Sequence, residues 1–252
     1  MMVALVSTHR SPGASVSALA LTLAATRHCL LAECDPAGGD VLAGYLQGTL
    51  PAHRGLAPLA VAELRGRLRE EFDAQLVDLD PPHRRRLLLP GVSDPAQSAT
   101  VAAVWEPVAE HLHRLGRGGW QVLVDCGRPT TLHFGWPLLR RADLVLLVVR
   151  GTLPSVSAAV PALRSLRREL ATDPADAGAE RRVGLLVVEV GPYSGTDVAR
   201  SLDAEVVATL PADPRTAQRL STGGAPPPRS SLLRAAAAVR LEPSSWEVPG
   251  VA

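Results

Sequence analysis

Short apolar runs alternate along the chain with longer stretches in which leucines and alanines recur at helical spacing. Apolar runs bounded by Gly, Pro or charged residues are typical of buried strands. Strands are therefore predicted at residues 3–8, 29–33, 86–91, 120–127, 143–149, 182–188 and 204–210. Helices are predicted at residues 15–27, 58–73, 95–115, 154–171, 196–202 and 230–240. This alternation predicts an α/β fold, a three-layer, doubly wound, mostly parallel sheet with helices on both faces.

One domain is predicted to hold nearly the whole chain. The 252 residues are enough to bury one substantial core, and the chain has no internal repeat. The most apolar run, residues 143–149, is expected near the centre of the sheet. Residues 223–229, with three prolines in a row, are predicted to connect to the last helix. We expect residues 1–241 to form the domain and residues 242–252 to be a flexible tail.

Composition and charge narrow the classes of function. The 26 basic and 25 acidic residues give a net charge of +1, which argues against a broad surface for nucleic acid. No apolar run approaches the roughly 20 residues that span a bilayer, and the first residues lack the pattern of a signal peptide. Residues 231–240 are too rich in alanine for an amphipathic membrane anchor. We therefore expect a cytoplasmic protein.

Several residue types are used in an unusual way. All 26 basic residues are arginine, and lysine, isoleucine and asparagine are absent. These three amino acids share AT-rich codons, so their absence indicates a GC-rich genome, such as that of an actinobacterium. The cysteines, Cys29, Cys34 and Cys126, lack metal-ligand spacing and are predicted to be small buried hydrophobes.

Polar residues follow the predicted strands at what should be the same edge of the sheet. In doubly wound sheets, ligands bind beyond the carboxyl ends of the strands. Charged or turn-forming residues lie at or directly after the ends of successive predicted strands: residues 11–17, Glu33, Asp35, Asp125, Arg150, Glu189 and residues 211–214. The sequence thus predicts a ligand site at this edge.

The segment after the first strand has the layout of a phosphate-binding loop. Its residues, Ser-Pro-Gly-Ala-Ser-Val-Ser at 11–17, lie between a buried strand and a helix. In such a loop a lysine precedes the final Ser or Thr and contacts the β- and γ-phosphates. Here Val16 precedes Ser17, so the scaffold of a nucleotide site is present and its main phosphate contact is missing.

Four motifs together resemble the ParA/MinD family of deviant Walker A ATPases, which belong to the SIMIBI class of P-loop proteins. Residues 11–17 are similar to the family's K-G-G-x-G-K-[ST] loop, and residues 33–38, Glu-Cys-Asp-Pro-Ala-Gly, to its D-x-D-P-x-G switch. Residues 122–125 resemble its Walker B strand, and residues 210–213, Leu-Pro-Ala-Asp, its late L-P-x-D element. The likeness covers roughly residues 3–240, and the order of the motifs makes it specific.

The resemblance implies a nucleotide site whose residues can be named. Its nucleotide-binding positions are Arg10, Ser11, Gly13, Ala14, Ser15, Val16, Ser17, Pro211 and Asp213. The metal-ligating positions are Ser17, Asp35 and Asp125, and Asp35 is also the catalytic position. The implied cofactor is ATP or ADP with Mg²⁺, although the missing lysine leaves open that no cofactor binds. The implied partners are other proteins and a second copy of the chain, as a homodimer.

The departures from the family pattern concern mainly the phosphate contacts. Both family lysines are absent, with Ser11 at the first position and Val16 at the second. A lysine about 4 Å from a phosphate charge is worth about 4 kcal/mol at an effective dielectric of about 20, before desolvation. Codon bias alone does not explain the loss, because selection would retain a lysine that the chemistry needs. Arg10 is adjacent to the loop and is the best replacement, ahead of Arg128 and Arg150.

The sequence supports three hypotheses for function. The first is a degenerate ParA/MinD-like protein with weak or no ATP hydrolysis, which positions or regulates cell-pole, septum, pilus or secretion machinery, like the CpaE/TadZ-type proteins. The second is an active ATPase of the chromosome- or plasmid-partitioning type in which Arg10 replaces the lysine. The third is a binding module that keeps only the architecture and takes no nucleotide.

Overall fold

The computed structural model describes residues 1–8, 13–49, 54–171 and 183–241. The strands are β1 (Met2–Ser7), β2 (Cys29–Glu33), β3 (Val77–Asp78), β4 (Arg86–Leu89), β5 (Gln121–Asp125), β6 (Leu144–Arg150), β7 (Val183–Glu189) and β8 (Val206–Pro211). The helices are α1 (Ala14–Ala24), α2 (Leu56–Glu63), α3 (Leu68–Glu71), α4 (Ser98–Ala102), α5 (Trp105–Arg117), α6 (Trp136–Arg141), α7 (Leu153–Leu170), α8 (Gly195–Leu202), α9 (Pro214–Thr222) and α10 (Ser231–Ala238). Short 3-10 turns lie at Asp73–Gln75 and Pro95–Gln97.

These strands belong to one sheet, in the order β3-β4-β2-β5-β1-β6-β7-β8. Neighbouring strands are parallel except at one edge, where β3 pairs antiparallel with β4. β1 lies between β5 and β6, with Leu5 opposite Asp125 and Ser7 opposite Val148. The carboxyl ends of β2, β5, β1 and β6 therefore lie side by side, at the edge where this class of sheet binds ligands.

Helices cover both faces of the sheet, and the alternation of residues along each strand supplies both cores. In β1, Ala4 and Val6 pack into one core with α2, α5, α6, α7 and α8. Val3 and Leu5 pack into the second core, under α1, α9 and α10. β6 is buried over almost its full length between β1 and β7. The predicted three-layer α/β architecture is confirmed, with the most apolar strand inside the sheet.

Three predicted helices are divided in the structure or end more than two residues away from the predicted bound. The helix predicted at residues 58–73 is two helices, α2 and α3, because Gly66 between them adopts the left-handed conformation at φ +67°. The helix predicted at residues 95–115 is a 3-10 turn followed by α4 and α5. The first helix ends earlier than predicted, because Ala25 after α1 is already extended.

The hydrophobic pattern misses three elements. β3 has 2 residues and α6 has 6, too few to show a period. α9 begins with Asp213 as its N-cap residue and Pro214 in its first turn, which is a known start signal. The predicted loop at residues 173–178 and the predicted tail lie outside the described residues, so the domain boundaries stay predictions.

Two further predictions concern cysteines and membranes. Cys29, Cys34 and Cys126 are buried and free, and burial raises the pKa of each thiol. This confirms that they act as small hydrophobes. None of the helices in the described part of the chain is long and apolar enough to cross a membrane.

Candidate functional site

A cavity of about 510 Å³ opens where the carboxyl ends of β1, β2, β5 and β6 meet. Its volume is in the range of small-molecule sites in proteins. The lining residues come from these strand ends, from α1 and from α9: Ser7, Gly13, Ala14, Ser15, Val16, Asp35, Asp40, Asp125, Gly127, Arg128, Arg150, Ala217, Gln218 and Ser221. The sheet order thus brings together segments that are far apart in the sequence.

One side of the cavity, the loop wall, consists of Gly13, Ala14, Ser15 and Val16 at the start of α1. Gly13 is the N-cap residue and has φ +99°, a left-handed conformation that side chains disfavour. Its carbonyl accepts the first helical hydrogen bond, from the Ser17 amide at 2.9 Å. The amides of a helix N-terminus attract anions, but Val16 adds only an apolar surface where a lysine would add charge.

A second side, the acidic wall, consists of Asp35, Asp40 and Asp125. Asp125 ends β5 and is buried, and its carboxylate accepts hydrogen bonds from the Gly127 amide at 3.2 Å and from the Ser15 hydroxyl. Burial raises the pKa of Asp125 to about 6 in spite of these hydrogen bonds. The hydrogen bond from Ser15 connects the loop wall to the acidic wall.

Asp35 lies close against the backbone of Gly127. A Cβ atom added at Gly127 would be 2.1 Å from the carboxyl carbon of Asp35, and Gly127 has φ +68°. Asp35 also accepts a hydrogen bond from the Ala37 amide at 2.8 Å, which closes the turn after β2. Burial raises the pKa of Asp35, and the Ala37 hydrogen bond and the charge of Arg128 partly offset that effect. Because Gly127 has no side chain, the Asp35 carboxylate can lie directly against its backbone.

Glu33 is buried beside the acidic wall. It lies opposite Asp125 in the β2–β5 register and accepts hydrogen bonds from the amides of Val41 at 2.9 Å and Gly91 at 3.4 Å. Burial raises the pKa of Glu33 to about 7, and the Asp125 charge adds to the increase. Near neutral pH, part of the Glu33 population is therefore protonated.

Two arginines bring positive charge to the cavity. Arg128 follows β5 and is exposed, whereas Arg150 ends β6 and is half-buried. Because β1 lies between β5 and β6, the two arginines follow the strands on the two sides of β1. The Arg150 amide donates to the Ser155 hydroxyl at 2.9 Å, while its buried Nε has no hydrogen-bond partner among the described residues.

The structure brings some of the predicted site residues together and leaves others apart. The cavity is lined by the predicted residues Gly13, Ala14, Ser15, Val16, Asp35 and Asp125. Ser17 is buried in α1, and Pro211 and Asp213 lie at and after the end of β8, so these three do not line the cavity. Arg10 and Ser11 lie outside the described residues.

Asp213 has structural contacts that account for its position after β8. Its carboxylate accepts hydrogen bonds from the Thr216 amide at 3.1 Å, the Thr216 hydroxyl at 2.8 Å and the Ser230 hydroxyl at 3.1 Å. Although burial alone would raise the pKa of Asp213, these hydrogen bonds hold it well below its ordinary value. Asp213 thus caps α9 and connects it to the start of α10.

Four polar residues of the cavity, Ser7, Asp40, Gln218 and Ser221, were not predicted from the sequence. Asp40 ends the glycine-rich turn that begins at Asp35, so its charge is visible in the sequence but its direction is not. Gln218 and Ser221 lie on α9, which packs beside α1. The start signal at Asp213 predicts such a helix, whereas only the tertiary structure places it at the cavity.

A metal site made by the protein alone is absent from the described part of the chain. No group of three or more His, Cys, Asp or Glu side chains there is arranged to hold a metal ion. In nucleotide sites, however, Mg²⁺ is usually held by one or two carboxylates together with phosphate oxygens and water. Asp35 and Asp125 are carboxylates of that kind at the cavity.

Comparison with known proteins identifies the fold. No protein family model and no curated protein sequence matches the chain. A ParA family ATPase from Chlorobium tepidum superposes with a TM-score of 0.73 and 17% identity, covering 94% of this chain and 96% of that protein. The septum site-determining protein MinD from Pyrococcus horikoshii, complexed with Mg-ADP, has a TM-score of 0.69 and 16% identity, covering 94% and 93%.

The MinC:MinD cell division protein complex of Aquifex aeolicus gives a TM-score of 0.63 and 19% identity, covering 88% of this chain and 87% of that protein. At identities this low, the likeness establishes the fold. The chain has the α/β fold of the ParA and MinD P-loop ATPases, as the sequence motifs predict.

Proposed function

We propose that this chain is a degenerate ParA/MinD-type P-loop protein that positions or regulates other machinery and hydrolyses ATP weakly or not at all. The observation that carries the proposal is Val16. It lies in the first turn of α1 and lines the cavity at the position where the family loop has its lysine. An apolar side chain at this position adds no charge against a phosphate group.

The charges around the cavity support weak hydrolysis. Three carboxyl groups, on Asp35, Asp40 and Asp125, share the lining with the two guanidinium groups of Arg128 and Arg150. The absent lysine would contribute about 4 kcal/mol toward a phosphate at an effective dielectric of about 20, before desolvation. Phosphoryl transfer depends on positive charge placed against the transferred group. A site that keeps its carboxylates and loses its lysine therefore disfavours the reaction.

The residues at the cavity fit a magnesium nucleotide in part. The amides at the start of α1 and the nearby arginines suit phosphate oxygens, and Asp35 and Asp125 suit a hydrated Mg²⁺. When bound, the ion supplies charge neutralisation of the phosphates. Asp35, the candidate catalytic residue, would orient a water molecule from its place on the acidic wall. Ser17 is buried in α1 and does not line the cavity.

We propose that the protein works through protein partners. Large apolar side chains are exposed after β5, β6 and β7 at the carboxyl edge of the sheet, with Leu132 at 76%, Leu153 at 65% and Tyr193 at 41% of their full exposure. Exposed apolar groups of this kind are typical of contact surfaces. MinD of Aquifex aeolicus was solved in complex with MinC. By analogy, we propose a cytoplasmic homodimer that helps to place cell-pole, septum, pilus or secretion machinery, in the manner of CpaE/TadZ-type proteins.

Binding of fluorescent ATP with and without Mg²⁺, together with phosphate release, tests the proposal. We expect no Mg²⁺-dependent binding at micromolar ATP and no phosphate release above that of Asp35→Ala. Micromolar Mg²⁺-dependent binding that is lost in Asp35→Ala or Arg10→Ala would overturn it. A pull-down from the native cell should recover a specific partner, and recovery of chaperones alone would contradict the proposed role.

The second candidate function is an active ATPase of the partitioning type, in which an arginine replaces the lysine. The guanidinium group of Arg150 favours this alternative, because Arg150 lines the cavity, forms no ion pair with a described carboxylate, and arginine can hold phosphate oxygens. Arg10, the replacement predicted from the sequence, lies outside the described residues. Mg²⁺-dependent phosphate release that disappears in one arginine variant would establish this function.

A further inference from the structure

Arg150 carries a buried donor that the described protein does not satisfy. Its Nε atom is buried and has no hydrogen-bond partner, and of the described residues with such an unpaired buried atom, Arg150 is the one that lines the cavity. A buried donor without an acceptor costs free energy, so such groups in native proteins usually meet an ion, a ligand or water. The guanidinium also forms no ion pair with a described carboxylate.

The backbone of Arg150 is held rigidly in place. Arg150 is the last residue of β6 and lies opposite Val188 of β7 in the parallel register. Its amide donates to the Ser155 hydroxyl at the start of α7, at 2.9 Å. A half-buried side chain on such a strand end loses little additional entropy when it binds, which favours the binding of a ligand.

The surroundings of Arg150 suit an anion. β6 is paired with β1, so the end of β6 lies beside the end of β1. The N-terminus of α1 at Gly13 lines the same cavity, and Arg128 lines it from the β5 side. A guanidinium can hold two oxygens of one phosphoryl group, and helix amides add further donors.

We propose that Arg150, together with Arg128 and the N-terminus of α1, binds a diphosphate group in this cavity, so that the main phosphate contact has moved from the loop to the end of β6. The inference rests on the proposed function, because it takes the cavity to be the nucleotide site of the fold. The diphosphate comes either from a nucleoside diphosphate or from free pyrophosphate. Two arginines that line the cavity from the strands on either side of β1 match a ligand with two phosphoryl groups better than a single phosphate.

Calorimetric titration of the full chain with ADP and with pyrophosphate, both without Mg²⁺, tests the proposal. We expect Arg150→Gln to weaken binding on the order of tenfold to a hundredfold, since it removes charge-assisted hydrogen bonds. Arg164→Gln, which alters an exposed arginine on α7, should leave the affinity unchanged. Tighter binding of ADP than of pyrophosphate would show that the site recognises a nucleotide. Equal binding would show that it recognises the diphosphate group alone. Both results support the proposal.

Three outcomes would overturn it. Wild-type affinity in Arg150→Gln is the first, and loss of binding in Arg10→Gln while Arg150→Gln binds normally is the second. Absence of binding to the wild-type chain at millimolar ADP and pyrophosphate is the third.

A measurement on the wild-type chain does not depend on the folding of a variant. Phenylglyoxal modifies accessible arginines, and peptide mass mapping identifies them. Pyrophosphate should protect Arg150 and Arg128 from modification and leave Arg164 reactive. Equal modification of Arg150 with and without pyrophosphate would contradict the proposal even if Arg150→Gln failed to fold.

The failure of this inference can be told apart from the failure of the proposed function. Absence of diphosphate binding overturns the inference alone, because weak hydrolysis and partner binding do not need it. Rapid ATP hydrolysis that is lost in Arg150→Gln overturns the proposal of weak hydrolysis and leaves the assignment of Arg150 standing.

Discussion

The loop wall and the acidic wall of the cavity differ in how strongly the fold holds their chemistry. On the loop wall, Val16 lines the cavity from the first turn of α1, and replacing a lysine there changes little else in the fold. On the acidic wall, Asp125 is hydrogen-bonded to Gly127 and Ser15, and Asp35 rests against Gly127. Replacing a hydrogen-bonded carboxylate at a strand end costs the folded state more than replacing a lysine whose charged end faces the ligand.

Under the proposed function, this difference lets the site lack one phosphate contact and keep its architecture. A residue whose only contacts are with a ligand can change without cost to the folded state, whereas a buried, hydrogen-bonded carboxyl leaves unpaired donors behind when it is removed. Substitutions can test whether the acidic wall stabilises the fold and whether a cation on the loop wall restores phosphate binding.

The largest effect is expected for Gly127→Ala. The new Cβ would meet the carboxyl of Asp35 at 2.1 Å, and the backbone has φ +68°. We expect a loss of about 2–5 kcal/mol in the free energy of unfolding, from left-handed strain and overpacking together. Gly66→Ala is the matched control, because Gly66 has φ +67° and no atom within 4 Å of an added Cβ. Urea unfolding that gives equal losses for both would show that the contact with Asp35 does not matter.

The next effect concerns pH and Glu33. Burial raises the pKa of Glu33 from an ordinary value of 4.5 to about 7, so the folded state binds its proton more tightly than the unfolded state. That contribution to stability is present below pH 4.5 and is lost as the pH rises through about 7, a change of about 3 kcal/mol.

Glu33→Gln should remove this part of the pH dependence, as measured by urea unfolding between pH 4.5 and pH 8 and compared with the wild type. Glu205→Gln, at an exposed position, is the control and should follow the wild-type curve. The quantity to follow is the free energy of unfolding of the wild type minus that of Glu33→Gln. If this difference rises with pH in the window, the assignment of a raised pKa is refuted.

A smaller effect is expected on the loop wall. Val16→Lys restores a cation at the position of the family lysine and should tighten ATP binding by about tenfold to a hundredfold. Val16→Met is the control, since methionine has a comparable reach without charge. Fluorescent ATP titration measures both variants. Equal affinities would mean that more than the lysine has been lost from this wall.

The smallest effect is expected for Asp213→Ala. This substitution tests whether Asp213, the cap of α9, contributes to ligand binding in addition to the loop wall and the acidic wall. Loss of the cap on α9 should lower the free energy of unfolding by about 1–2 kcal/mol. Because Asp213 does not line the cavity, the affinity for pyrophosphate should stay within about twofold of wild type. A large loss of affinity at unchanged stability would instead assign Asp213 to the ligand.

Most of the sheet could be predicted from the sequence, because parallel strands covered on both faces are continuous apolar runs. β6 is the clearest example, with six buried residues before Arg150. The break between α2 and α3 was missed, since Gly66 interrupts a pattern that otherwise continues on both sides. β3 was missed because two residues carry no period.

The site was predicted only in part, for a different reason. Motif spacing places Gly13, Asp35 and Asp125 at strand ends, and these three meet at the cavity. Ser17 and Asp213 belong to the same motifs but do not line the cavity, because Ser17 is buried in α1 and Asp213 caps α9.

The sequence by itself determined the alternation of strands and helices, the polar strand ends and the absence of a lysine from the loop. These are local properties that follow from hydrophobic period and residue identity. Only the tertiary structure decided that Arg150 shares a cavity with the start of α1 and that its Nε lacks a partner there. The reason is strand order. β6 and β1 are far apart in the chain and adjacent in the sheet. A phosphate contact that is missing after β1 can therefore be supplied by a residue at the end of β6.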